Sequence, residues 1–536
     1  MAQHWARAPI ERNQIVLFSP TLEDVVSEDH PVRLLDEILR KQEWSDWVTP
    51  CTDPRGRPPI HPRTLAAIVL YGLMRRIRSS RTLEYMCGHN VDFMWLAEGH
   101  RPDHSTLSGF RKESGKALKG LFRQVGRLAM AMGLVRLVEV AFDGTRVKAN
   151  ASRYHTWTAA KVEAALKELD ALFDGMMAEA DQADTSSQEG LLAGESVNHL
   201  PAELATLEQR RQKLQEILQT LQAQDQTRRK AGKDPAKNPA QLPQADHDSR
   251  VMPNKEGGYA ANFTPTAAVD VSSEMIVDCE VIGDPNEHAQ TLAAVDRIEE
   301  NFGEKPRAFL ADTAHGTGEN LAGMQQRKVT FFTPLKSSQP QEGNPARRDD
   351  PSQAVAEADW SRLPRNAQKQ LDKSCFVYDE RADRYYCPQG RCLEYAEIQT
   401  ATRNGQKIAV RVYRCANCEN CPLSTACRSP KAVRGRMIYR DCYEPLREEM
   451  ATRMQTAEGR ATYAHRMHGA ETPFAHIKQV MGVRQFLLRG LENVRTEWRW
   501  VCTAFNLQKL LKAVGGLRAS QGQGTVRAVV YCVSGK

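Results

Sequence analysis

The 536-residue chain lacks any apolar run that could span a bilayer: the longest, Leu65–Met74, stops far short of the roughly 20 residues a membrane helix needs. Its opening residues, MAQHWARAPIERNQ, lack the apolar core of a secretion signal, so a cytosolic location is expected. In that compartment the 13 cysteines are expected to be thiols or metal ligands rather than disulfides. Acids are missing where bases gather. Pro54 to Arg81 holds seven arginines (55, 57, 63, 75, 76, 78 and 81) and no carboxylate, and Ala401 to Arg440 holds nine Lys or Arg against Glu419 alone. A net charge of +7 distributed this way points to a polyanionic partner, nucleic acid above all, because neutralising phosphates supplies most non-specific affinity.

The length suggests two to four domains, and 41% hydrophobic residues supply cores for them. Residues 1–135 read as helical, with RPDHSTLSGFRKE offering Asp103 or Ser105 as the cap of a helix that carries Leu107, Phe110 and Arg111. Val138, Val140 and Phe142 then alternate with Glu139, Ala141 and Asp143, so an apolar strand ends on a carboxylate followed by Gly144. An Asp-Gly pair is ordinary turn chemistry as well as a way to aim an acid. Leucines and other apolar residues at four-three spacing (Val162, Leu166, Leu169, Phe173, Met176; Leu204, Leu207, Leu214, Leu218, Leu221) predict an antiparallel helical hairpin. The polar, Pro-bearing stretch that follows reads as a flexible linker, and residues 337–363 as a second.

A hairpin turning at Ser272–Glu274, a helix through AQTLAAVDRIEENFG, and a strand AFLAD ending on Asp312 complete a mixed sheet with helices on it. Asp312 thus repeats the situation of Asp143. A third acid, Glu471, falls in a helical pattern with Phe474 and Lys478 at i, i+3 and i+7, although a solvated helix acid is the commoner meaning of such a glutamate. RCANCENCPLSTACRS places Cys415, Cys418, Cys421 and Cys427 after Cys387 and Cys392, which is zinc-knuckle spacing with six candidates for four positions.

FDGTRVKANAS, LADTAHGTGEN and YAHRMHGAETPFAHIK together resemble the three acidic blocks of bacterial insertion-sequence transposases of the DDE class. HPRTLAAIVLYGLMRRIRSSRTLEYMCGHNVDFMWLAEGHRPDHSTLSGFR resembles their N-terminal helical domain. The resemblance implies an α+β multidomain protein: an N-terminal helical DNA-binding domain (1–135), a ribonuclease-H-like mixed-sheet core (136–155, 246–336 and 455–515), a helical hairpin insertion and linker (156–245), a linker (337–365), a basic Cys-rich zinc-binding insertion (366–454) and a tail (516–536). It implies Asp143, Asp312 and Glu471 as catalytic ligands of two magnesium ions. Tyr463, Arg466 and Lys478 are implied to position DNA, and the basic character of Arg75, Arg76 and Arg81 adds them to the expected DNA contacts. Relatives favour Cys387, Cys418, Cys421 and Cys427 for a structural zinc, with Cys415 and Cys392 as alternates.

Three acids suit magnesium because it keeps water and substrate phosphate in its shell, and two ions about 3.5–4 Å apart stabilise both the attacking and the leaving oxygen. His315 stands where tyrosine is frequent, and Arg466 lies one residue further from the glutamate than in some relatives. The implied activity is metal-dependent cleavage at transposon ends with strand transfer into target DNA by a homodimer, in a bacterial cytoplasm in association with the nucleoid. A silent DNA-binding regulator and a nuclease without strand joining use the same features.

Overall fold

The computed structural model describes residues 21–47, 58–187, 202–230, 232–254, 257–335, 343–403, 406–429 and 434–521. Arg55, Arg57 and most of the expected tail lie outside them. The architecture is mixed α+β, in two compact units. One gathers the described residues up to Met132 with Ile477–Leu488 and those from Glu492 on; the other comprises Gly133–His476 with Arg489–Leu491. The division differs from the sequence-based one, which placed all of 455–515 with the sheet.

The first unit is helical. Asp103 caps the helix His104–Glu113, its Oδ1 accepting the Thr106 N–H at 2.6 Å, while Leu107 and Phe110 are fully buried. Arg111, which could have faced a partner, is buried as well and donates to the Arg78 carbonyl at 2.7 Å. Phe110 packs on Trp47 and Trp500, and Trp500 donates its indole N–H to the Arg111 carbonyl, so the helix Leu491–Gln521 completes the N-terminal core. A buried charge fastens it. Glu497, only 2% exposed, pairs with Arg78 at 2.9 Å and accepts the N–H groups of Leu487 and Leu488, both at 2.9 Å.

The second unit holds the sheet that positions the acids. Its central strand β1 (Glu139–Gly144) pairs antiparallel with β2 (Tyr259–Asp270), which pairs antiparallel with β3 (Met275–Ile282). On its other side β1 runs parallel to β4 (Ala308–Leu310), and β4 parallel to β5 (Thr330–Phe332). The spatial order is therefore β3-β2-β1-β4-β5. Val140, Ala141 and Phe142 are all buried, as a strand covered on both faces requires. Helix α1 (Gln290–Phe302) buries Thr291, Ala294, Val295 and Ile298 on one stripe, and α2 (Gly318–Gln326) leads into β5. Helix α3 (Glu444–Gln455) precedes α4 (Ala457–Ala475), which packs on β1 and β2. A Cβ at Gly469 would lie only 3.0 Å from the Ala141 and Val271 side chains, so glycine sets how closely α4 approaches the sheet.

The expected hairpin forms, with helices Ala159–Ser187 and Ala202–Lys230 burying Val162, Leu169, Leu214, Ile217 and Leu221 between them. Both expected linkers need correction. After Lys230 the chain soon buries Ala240 and Leu242 in the hairpin's core and forms the strand Arg250–Pro253. Residues 336–342 lie outside the described chain, but Ala346 and Leu363 are buried in the Cys-rich module, whose antiparallel sheet runs Val377–Asp379, Arg384–Tyr386, Cys392–Arg403, Gln406–Cys415, Met437–Asp441.

Truncating Glu497 leaves Arg78 buried without its charge and two backbone donors without an acceptor. Glu497→Ala is expected to cost about 3–5 kcal/mol, read as a lower denaturant midpoint in unfolding followed by tryptophan fluorescence.

Candidate metal and nucleic-acid site

The register of β1 against β4 pairs Ala141 with Leu310, and Asp143 and Asp312 each lie two residues further on. Two neighbouring parallel strands, about 4.8 Å apart, therefore deliver a carboxylate each to the same edge of the sheet. Asp312 stays extended at its strand end and caps a short 3-10 turn, Thr313–His315, by accepting the Ala314 N–H at 2.8 Å. That turn aims His315 inward. The imidazole is fully buried, edge-on to Phe142, and burial pushes it down to about 4, so it is neutral at physiological pH.

Helix α4 supplies the opposite charge. Arg466 reaches Asp143 Oδ2 at 3.3 Å, with the two side chains only 15% and 14% exposed. One turn earlier Tyr463 hydrogen-bonds with Arg466 and feels both Asp312 and Asp143; burial first, and then these two carboxylates, raise its phenol above the ordinary range against the opposing pull of Arg466. The phenol is neutral there, and its oxygen accepts from the Arg466 guanidinium. His465 contacts Glu139 at 2.8 Å and holds the same helix to the foot of β1.

Glu471 stands differently. It is exposed on α4 and makes no hydrogen bond or ion pair among the described residues, whereas Phe474 is buried, so the two do not share one environment as the i, i+3 spacing suggested. Pro473 removes the N–H that would meet the Gly469 carbonyl, and the helix passes into a π turn over His476–Val480. Lys478 lies in that turn, in the helical unit, and its carbonyl accepts from Arg484.

Sequence reading missed Glu287. Its carboxylate lies over Gly144, where any Cβ would overlap it, and its Oε1 is 4.0 Å from His315 Nε2. Glycine after Asp143 thus leaves room for the Glu287 carboxylate, which any side chain there would displace. The loop DPNEHAQ that carries Glu287 has no periodicity, so no sequence signal marked it.

Five of the six candidate cysteines, Cys387, Cys415, Cys418, Cys421 and Cys427, line one cavity of about 20 Å³, and Cys392 is not among them. Cys392 instead accepts from Arg384 at 3.8 Å. The space holds a single ion or water and nothing larger. Burial pushes the Cys427 and Cys415 thiols up to about 12, and the backbone N–H of Arg436 points at Cys418 Sγ at 3.4 Å.

Many of the basic residues are spent inside the protein. Arg63 pairs with Asp36 and Glu98, Arg411 with Asp383, and Arg440 with Glu448 while stacking 3.9 Å over Tyr378. Arg75, Arg76 and Arg81 are exposed.

Two family models match. One, described as a transposase domain (DUF772), covers residues 20–113; the other, a transposase DDE domain, covers 386–511. Together the two matches support an insertion-sequence DDE transposase. The DDE match takes in the cysteine cavity, Tyr463, Arg466, Glu471 and Lys478, while Asp143 and Asp312 lie before it. No curated protein and no solved structure matches the chain significantly. Among the described residues no helix is long and apolar enough to cross a membrane.

Gly144→Ala should cost about 1 kcal/mol by displacing the Glu287 carboxylate, and the same change made in a Glu287→Ala background should cost less. A double-mutant cycle in urea reads the difference; equal costs in both backgrounds would remove Glu287 from its place over Gly144.

Proposed function

We propose that this transposase cleaves phosphodiester bonds at transposon ends and joins the freed ends to target DNA, with Asp143, Asp312 and Glu471 as its metal-binding acids. The observation that carries the reading is the pair of carboxylates at the edges of adjacent parallel strands, faced by Tyr463 and Arg466. The strand order β3-β2-β1-β4-β5, antiparallel on one side of β1 and parallel on the other, supports a ribonuclease-H-like core.

The donor set fits magnesium: oxygen ligands from few residues, with room left for water and phosphate. When bound, the ions supply Lewis-acid stabilisation of the attacking and leaving oxygens. Arg466 compensates Asp143 in the protein alone and has a guanidinium fork suited to phosphate, so DNA entry exchanges one anionic partner for another. Tyr463 stands neutral beside the same edge and holds the Arg466 guanidinium by accepting from it. Glu471 sits exposed on α4 and completes the set from the helix side, while Lys478, Arg75, Arg76 and Arg81 add phosphate contacts. The working form is a homodimer holding two ends, in a bacterial cytoplasm at the nucleoid.

The cysteine cavity fits a structural zinc held by Cys387, Cys418, Cys421 and Cys427. Cys427 feels the other three electrostatically, and Arg391, Arg428 and Arg436 line the same space, where they offset the surplus negative charge of four thiolates. Cys415, buried beside Cys418, remains an alternate.

Asp143→Asn, Asp312→Asn and Glu471→Gln should each abolish cleavage of DNA carrying the element's ends in Mg²⁺ while leaving end binding in gel shifts largely intact. A variant that cuts at near the parental rate removes its residue from the set. For the zinc, metal-replete expression followed by elemental analysis should return one ion per chain. Cys421→Ser should lower that stoichiometry and destabilise the segment from Cys387 to Arg440; a parental protein without zinc would end this part of the proposal.

A further inference from the structure

Among the described residues, Glu287, Asp312 and His315 each bring one ligand atom within 4.8 Å of the others. His315 Nε2 lies 3.6 Å from Asp312 Oδ1 and 4.0 Å from Glu287 Oε1. Bonds of about 2.1 Å to one ion separate neighbouring ligand atoms by about 3 Å at right angles and somewhat more at wider angles, so the trio needs only a small contraction to share an ion.

The second observation concerns the imidazole. His315 is fully buried, and its Nε2 has no hydrogen-bond partner. Its other nitrogen, Nδ1, is 2.7 Å from Thr291 Oγ1, and that hydroxyl donates to the His288 carbonyl at 2.7 Å. With its single proton spent, Thr291 accepts from His315 Nδ1–H, and it accepts from Asn320 Nδ2 at 3.2 Å as well. The ring is therefore held in the tautomer that turns a bare Nε2 lone pair toward two carboxylates. Three electron-pair donors converge here, and the buried imidazole nitrogen, cut off from water, has no donor to satisfy it unless a cation lies between the three. A ring nitrogen fixed by a hydrogen bond through the opposite nitrogen is also how metal-binding histidines are oriented.

We infer that His315 and Glu287 ligate the divalent ion held by Asp312, making that position a mixed nitrogen–oxygen site rather than an all-oxygen one. The inference rests on reading Asp312 as a metal ligand and adds two ligands to it. One consequence is selectivity: an imidazole in the shell favours transition ions over magnesium at this position, whereas the Asp143 side of the edge, built from oxygen alone, does not discriminate in that way.

Manganese distinguishes the two arrangements because it enters oxygen-only and mixed sites alike. Mn²⁺ added to the full-length protein without DNA should bind, and electron spin echo envelope modulation should show the ¹⁴N coupling of a directly bound imidazole. His315→Gln should keep Mn²⁺ bound and lose the ¹⁴N signal. Glu287→Gln, which does not alter the buried ring, should keep the signal and weaken Mn²⁺ binding about tenfold. Should His315→Gln fail to fold, the parental spectrum and Glu287→Gln decide the matter. Bound Mn²⁺ without ¹⁴N coupling, or coupling that persists in His315→Gln, overturns the ligation by His315 and leaves Asp143 and Asp312 as metal ligands. No Mn²⁺ binding at all overturns both readings.

Discussion

Carboxylates at the end of a buried strand must be compensated, and that requirement organises the sheet unit. Val140, Ala141 and Phe142 bring β1 through the interior, and Asp143 leaves it with a side chain only 14% exposed. A charge so placed is costly unless an opposite charge or a metal stands beside it. Arg466 meets it in the protein alone, and because Arg466 belongs to α4 the same contact helps fix that helix across β1, together with Gly469 against Ala141 and His465 against Glu139. The pair is also labile in the useful sense. Arginine held by a single carboxylate contact loses little when phosphate replaces it, and a carboxylate freed from arginine is available to a cation.

The edge is asymmetric. Asp143 faces a permanent positive charge, whereas Asp312 faces a neutral histidine and, across it, a second acid. The protein compensates the first carboxylate with an ion pair and the second with the uncharged Ala314 N–H, beside a bare imidazole nitrogen. If the edge holds metal as proposed, its two halves load unequally, the half without an ion pair drawing a cation first. Gly144 makes this possible, because a side chain there would push Glu287 away from the edge.

Much of this was legible in the sequence. Alternation ending in Asp-Gly and the AFLAD strand both marked where a sheet delivers acids, and the four-three leucines marked a helical hairpin that the structure contains. What stayed hidden has physical causes. Glu287 reaches the site through a loop with neither period nor motif, from a position far along the chain from Gly144. β2 extends back to Tyr259, before the hairpin residues that the sequence marked, because beyond β1 it gains a new partner in Arg250–Pro253. Residues 343–363 looked too polar to pack, but a few apolar positions, Ala346, Val355 and Leu363, suffice to bury the backbone against the Cys-rich sheet.

Charge was the least faithful signal. Counting arginines cannot separate those that face a partner from those that hold the fold, and here the same side chain serves both ends because guanidinium is the cation most easily buried. In the helical unit Arg63 and Arg78 are committed to Asp36, Glu98 and Glu497, and Arg111 to a backbone carbonyl. In the Cys-rich module Arg436 reaches the Cys427 and Leu371 carbonyls, and Arg440 reaches Glu448. Runs without acids thus arise partly because the matching acids lie elsewhere in the chain. Arg75, Arg76 and Arg81, by contrast, are exposed at one helix end and the start of the next, where the proposed phosphate contacts cost the fold nothing.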